Sequence, residues 1–224
     1  MLLAIDTATT FSGLALYDGN GPAAECIWQS GRNHTAQLLP QIETILRHVG
    51  AVPADLRVLA VSRGPGSWSG LRAGLSLAKG MSLAADLPLI GVSTLEALAY
   101  QAAADDRAAL PLLRLGRGRY AAALFSADPL PERVTADANL TLEELAALIT
   151  EPTTVCGEVD SAVRAALQPL QRSGLVRFPP QAALLRRPGY LAELAWQRHL
   201  LGDYDDLTTL EPIYLGDAVK PPAA

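Results

Sequence analysis

Three stretches of this chain carry residue types that could do chemistry. The first is Asp6-Thr7-Ala8-Thr9-Thr10, which follows an apolar run at 2–5. A carboxylate suits magnesium, and threonine hydroxyls suit phosphate oxygens, so Asp6, Thr7, Thr9 and Thr10 are candidates for holding a metal-bound nucleotide. Hairpin turns use the same residues for local hydrogen bonds. The second is Arg63-Gly64-Pro65-Gly66-Ser67-Trp68-Ser69-Gly70-Leu71-Arg72. Gly64, Gly66 and Ser67 open a strand-to-helix turn whose amides can converge on an anion. No Lys follows the last glycine, so this is not a Walker loop. The third small position of a dinucleotide fingerprint falls on Ser69, and the next strand ends at Val92-Ser93 instead of on a ribose-binding acid. A structural turn is the plainer reading. The third stretch, Arg114-Leu115-Gly116-Arg117-Gly118-Arg119, has three arginines and no carboxylate. Arginine contacts phosphate but cannot carry magnesium. A nucleotide clamp in a duplicated fold needs an acidic loop in each half, so the sequence disfavours phosphoryl transfer by this chain alone.

Other chemistries find less support. His34, His48 and His199 lack metal-ligand spacing, and no Cys lies near them. His34 reads as a capping or packing residue near a helix start. Neither Ser67 nor Ser69 sits in a G-x-S-x-G elbow. Cys26 and Cys156 each lie in apolar surroundings and read as buried free thiols, with a disulfide as the lesser alternative.

Positioning those loops requires alternating elements. Strands are expected at 2–5, 12–17 and 23–29, then a helix over 33–49. Leu38, Leu39, Ile42, Ile45, Leu46 and Val49 share one side of it, and Pro40 should bend or delay it. A strand at 56–61 precedes the glycine turn. A helix over 69–85, a strand at 87–92 and a helix over 94–104 follow, the last capped by Ser93 with Glu96 as reciprocal partner. The polar break at 105–107 divides the chain into a first unit, 1–105, and a second, 106–224. The pattern then restarts: apolar runs at 110–113 and 120–125 around the arginine turn, and a helix over 142–149 capped by Thr141. A strand at 153–156 and helices over 161–170 and 189–201 come next. An extended tail at 211–215 leads to Pro221-Pro222. Two βαβ-rich halves, each opening with a hairpin, imply a duplicated α/β fold.

The helix after the glycine turn carries a stripe of small residues four apart: Gly66, Gly70, Gly74, Ala78 and Ser82. Interior glycines cost about 1 kcal/mol each against alanine, so something must offset them. Close approach of another backbone does so. That neighbour is either the chain's own sheet or a second subunit meeting this helix and the helix 33–49. Gly74→Leu separates the two: lost pairing with the fold intact means an interface, and unfolding means internal packing.

Composition narrows the partners. The chain has 224 residues, half of them hydrophobic and 18% charged, with a formal net charge of −5. That size allows an ample core. The acidic balance makes the isolated chain a poor binder of a phosphate backbone, so any nucleic acid must be gripped mainly by a partner. No uncharged apolar run of about 18 residues is present, and Asp6 arrives too early for a secretory h-region. The expected location is the cytoplasm, with no membrane contact.

Several of these motifs carry a specific resemblance. Ile5-Asp6-Thr7-Ala8-Thr9, Arg32-Asn33-His34-Thr35 with Leu38-Leu39-Pro40, the 63–72 motif, Gly91-Val92-Ser93-Thr94-Leu95 and Pro212-Ile213-Tyr214-Leu215 resemble the TsaB (YeaZ) family. The likeness is strong over 1–100 and loose over 101–210. It implies the duplicated actin-like ATPase fold, shared with sugar kinases and heat-shock proteins. It also implies a non-catalytic subunit of the bacterial machinery that makes N6-threonylcarbamoyladenosine at position 37 of tRNA. In that family the catalytic transferase is the paralogue TsaD and the ATPase TsaE joins the two. TsaB pairs with TsaD through helices of its first domain and can self-associate through the same surface. Carried onto this chain, the partner surface falls on His34, Leu38, Ile42 and Ile45 of the first helix and Leu71, Gly74, Leu75 and Ala78 of the second. No cofactor of its own is implied. ATP or ADP would bind only at an interface shared with partners, and tRNA only through the complex. Many relatives have Asp-Ala-Arg where this chain has Arg114-Leu115-Gly116, and Arg where it has Gly216, so contacts through those positions are not expected here. A small-molecule kinase or ATPase of the same fold is the alternative reading. A peptidase finds no nucleophile–base pair.

Overall fold

A computed structural model describes residues 1–31, 33–103 and 106–215. Arg32, Asp105, Gly216 and the Pro221-Pro222 end, all used in the sequence reading, lie outside the described residues. The first half contains β1 (Leu2–Asp6), β2 (Phe11–Tyr17), β3 (Pro22–Gln29), α1 (His34–His48), β4 (Val58–Gly64), α2 (Trp68–Ala85), β5 (Leu89–Ser93) and α3 (Thr94–Ala102). The second contains β6 (Ala108–Gly116), β7 (Arg119–Ala122), β8 (Ala138–Leu140), α4 (Leu142–Leu148), β9 (Thr153–Gly157), α5 (Ser161–Ala166), α6 (Gln168–Arg172), β10 (Val176–Arg177) and α7 (Pro188–Leu200).

The two sheets share one topology. The first runs β3-β2-β1-β4-β5 and the second β10-β9-β6-β7-β8. In each, the opening strand pairs antiparallel with its hairpin neighbour and parallel with a later strand: β1 with β2 and β4, β6 with β7 and β9. The duplication expected from the pattern is therefore present strand for strand. The short edge strands β8 and β10 have no counterpart in the sequence reading. The helix expected over 161–170 is two short helices, α5 and α6, separated at Leu167 with Pro169 in the first turn of α6, where its missing N–H costs nothing.

Alternation along β1 sets the layers. Leu3 and Ile5 point to one face and pack with Leu38, Ile42, Ile45 and Leu46 of α1 and Leu75 and Ala78 of α2. Leu2 and Ala4 point to the other and pack with Leu191, Ala192 and Ala195 of α7. The assignment of 106–224 to a second unit thus separates α7 from the sheet that it covers. The physical reason is that this face of β1, β2, β4 and β5 is apolar, and α7 supplies its cover. A third core, around Phe125, joins the second sheet to Leu95, Leu98 and Ala99 of α3.

Candidate functional site

The loop after β1 is where the sequence put its first candidate site, and the structure fills it with the chain's own groups. Asp6 is buried, 5% exposed. One carboxylate oxygen accepts from the amide of Ala8 at 2.9 Å. Both oxygens then meet a guanidinium that the sequence reading missed: Arg186 Nε donates to Oδ2 at 2.8 Å and Nη2 to Oδ1 at 3.2 Å. The third nitrogen, Nη1, donates to Thr9 Oγ1 at 2.9 Å. Thr7 turns away from the cleft, and its hydroxyl donates to the carbonyl of Gly70 at 2.7 Å. Thr10 is exposed, and its carbonyl accepts from the amides of Ser30 and Gly31.

The glycine turn is occupied too. Ser67 caps α2 by accepting from the Gly70 amide, while its own amide donates to the carbonyl of Ala8 at 2.6 Å. A Cβ at Gly66 would come under 3.0 Å from that carbonyl. Gly64 has φ +105°, and a Cβ there would press on the backbone of Ile213, whose amide donates to Arg63 O at 2.7 Å. The turn at the start of α2 therefore grips backbone from β1 and from the extended tail.

The small stripe resolves the same way. Cβ atoms at Gly70 and Gly74 would come under 3.0 Å from Thr7. His34, Leu38, Ile42, Ile45, Leu71, Gly74, Leu75 and Ala78 are all buried within this chain. Placing the partner surface on these eight residues is corrected: helical spacing identified a real face, and that face is the one turned to the sheet. The stripe lets α2 sit on the β1 loop. The exposed faces of the two helices carry different residues, Leu39, Pro40 and Glu43 on α1 and Ser69, Ser76, Gly80 and Leu83 on α2. His34 is a buried junction: Nδ1 meets Ser12 Oγ at 2.8 Å and Ser30 Oγ at 3.0 Å. Desolvation lowers its pKa from the ordinary 6.5, partly opposed by the charge of Asp6.

Between the two hairpins lies a cleft of about 540 Å³, lined among others by Thr9, Phe11, Arg114, Glu158, Asp160 and Arg186. The arginine turn does not meet it bare. The Arg114 amide donates to Glu158 at 2.7 Å, and its guanidinium lies 3.4 Å from Asp160. Asp160 also accepts from Tyr120 and caps α5. These carboxylates follow β9, a position that the search for acids inside the arginine turn did not cover.

The actin-like fold implies a magnesium nucleotide in this cleft, and the residues do not fit it. Asp6 is satisfied by a bidentate arginine. Glu158 and Asp160 are committed to Arg114, Tyr120 and a helix cap. Among the described residues no three His, Cys, Asp or Glu converge as a metal site. The cysteines are free, Cys156 buried and Cys26 only half-buried on β3. Burial pushes the Cys156 thiol up to about 12, which makes it inert at neutral pH. No helix among the described residues is long and apolar enough to cross a membrane.

Known proteins match this geometry and this sequence. A family model described as TsaD, tRNA N6-adenosine threonylcarbamoyltransferase, matches residues 28–128. A TsaB from Bacillus subtilis, named as a tRNA threonylcarbamoyladenosine biosynthesis protein, is 32% identical over 151 residues, 67% of this chain and 66% of that protein. The Escherichia coli TsaB is 43% identical over 98 residues, 44% of this chain and 42% of that protein. The aligned stretch thus spans just under two thirds of the first relative and under half of the second. A Pseudomonas aeruginosa crystal structure, described as similar to peptidase YeaZ, superposes with TM-score 0.79 at 21% identity, covering 96% of this chain and 99% of that one. A ROK hexokinase from Thermus thermophilus superposes with TM-score 0.53 at 12% identity, covering 88% and 99%. Two sheets of like topology with a cleft between them make this an actin-like ATPase fold. Within that class, the chain belongs to the TsaB (YeaZ) family.

Proposed function

We propose that this chain is a non-catalytic subunit of the machinery that forms threonylcarbamoyladenosine on tRNA, and that it acts by docking a TsaD-type transferase. Its relatives carry that pathway in their names. The observation that carries the docking role is the outer face of α2. Ser69, Ala73, Ser76, Gly80 and Ala84 lie along it at helical spacing, beside α1. A Cβ at Gly80 would meet nothing within 4 Å, so no contact inside this chain offsets a mid-helix glycine. Close approach of a partner's backbone would. Leu83 on the same face is 73% exposed and Leu39 on α1 52%, which supplies apolar area to bury.

The docking surface is therefore this outer face, and self-association of this chain would use it too. TsaE joins the assembled pair, and ATP or ADP enters only at a surface shared between subunits. With a formal net charge of −5 this chain leaves tRNA to the complex. Such work is cytoplasmic. The test is reconstitution of threonylcarbamoyl transfer to tRNA by a TsaD-type enzyme and TsaE, with and without this chain. Transfer should depend on it, and equal rates would sink the proposal.

A further inference from the structure

The pairing of Asp6 with Arg186 asks for an explanation beyond packing. Asp6 ends β1, at the carboxyl end of the strand where open α/β sheets bind ligands, and its partners Thr9 and Arg186 line the cleft. Its partner comes from 180 residues away. The guanidinium covers both carboxylate oxygens and reaches Thr9, so one side chain engages two of the polar groups that a metal-bound phosphate would use. The segment carrying it is held on either side. Gln101 donates to the carbonyls of Ala183 and Leu185, at 3.0 and 2.8 Å, and accepts from the Arg187 amide at 3.0 Å. Glu25 accepts from the Arg187 guanidinium at 2.6 Å and from the Gly189 amide at 2.8 Å. With its backbone fixed on both flanks, Arg186 reaches Asp6 at small entropic cost.

We propose that Arg186 is this chain's resident counter-cation for the loop after β1. It takes the place at Asp6 that a divalent ion would need, and so makes the cleft of an ATPase fold one that takes no metal. A divalent cation arriving at Asp6 must break a bidentate pair and strand a guanidinium that is only 10% exposed, beside its own two charges. The inference concerns the isolated chain and stands whether or not the docking role does.

The experiment is titration of the full chain with Mn²⁺, read by electron paramagnetic resonance and by thermal melting. Wild type, Arg186→Gln and Asp6→Asn/Arg186→Gln are compared. Arg186→Gln leaves Asp6 buried without its cation. It should gain one saturable Mn²⁺ site, at least tenfold tighter than anything in wild type, and Mn²⁺ should raise its melting temperature. The double variant should show neither effect. Wild type binding Mn²⁺ as tightly as Arg186→Gln, or a folded Arg186→Gln without a site, overturns the proposal. If Arg186→Gln does not fold alone, millimolar Mn²⁺ should restore it. Failure of Mn²⁺ to do so while the double variant folds also overturns it. Each of these outcomes leaves the transfer assay untouched.

Discussion

A single imidazole links three elements of the first half. His34 sits at the start of α1, bonds to serines on β2 and in the loop after β3, and lies against α2 near Gly70. Its folded-state pKa is below 6.5, so the unfolded chain binds the extra proton more readily. Stability is therefore fully present above about pH 6.5 and is lost as pH falls below it, by at most about 1.4 kcal/mol per pH unit. Thermal melts at about pH 7.5 and about pH 5 should show a larger drop for wild type than for His34→Gln, which cannot titrate. An equal drop would assign the acid sensitivity elsewhere. At this scale the sequence was only half legible. It located Asp6 and the threonines on the turn after the first strand. It could not show that Arg186 returns across the chain to close on Asp6, because nothing local in Leu185-Arg186-Arg187-Pro188 points to a partner so distant.

At the scale of elements, amphipathic spacing is symmetric in what it reveals. It separates two faces of a helix without saying which one meets another protein. On α1 and α2 the residues picked by spacing are the chain's own core, and the glycines at 70 and 74 are there to let Thr7 approach. Gly80 is the position that internal packing leaves unexplained. Gly80→Arg should raise helix stability by about 0.5–1 kcal/mol, seen as a slightly higher melting temperature, because glycine is a poor helix former and the site is open. The same change should abolish capture of a TsaD-type partner in size-exclusion chromatography. Retained capture would move the docking surface off α2. Cap signals read more reliably: Ser93 and Thr141 both cap their helices as expected, since a hydroxyl just ahead of an apolar helix satisfies orphan amides locally. The Glu96 carboxylate, expected to close the box at Ser93, instead meets Arg133 at 2.9 Å. β8 and β10 escaped notice because three- and two-residue strands carry too little alternation to register.

At the scale of the whole molecule, the repeat was visible because each half opens with a strand–turn–strand hairpin. What was not visible is that the halves do not part cleanly in sequence. One face of the first sheet is closed by α7, and burying Leu191 alone contributes about 1.5–3 kcal/mol. Residues 1–105 expressed alone should therefore be insoluble or molten by near-ultraviolet circular dichroism. The same fragment with 188–200 attached through a flexible linker should recover a cooperative melt. A cooperative melt from 1–105 by itself would show that the sheet needs no such cover.

The return of α7 to the opening strands also sets a clock on synthesis. When β5 leaves the ribosome, the face carrying Leu2, Ala4, Ala15 and Val58 is finished but bare, and its cover lies roughly a hundred codons downstream. At about 5–20 residues per second the nascent sheet waits on the order of 5–20 s before it can close. During that interval the newborn chain presents a greasy plane to whatever meets it first, so slower translation between the codons for β5 and α7 should lengthen the exposure and lower the soluble yield.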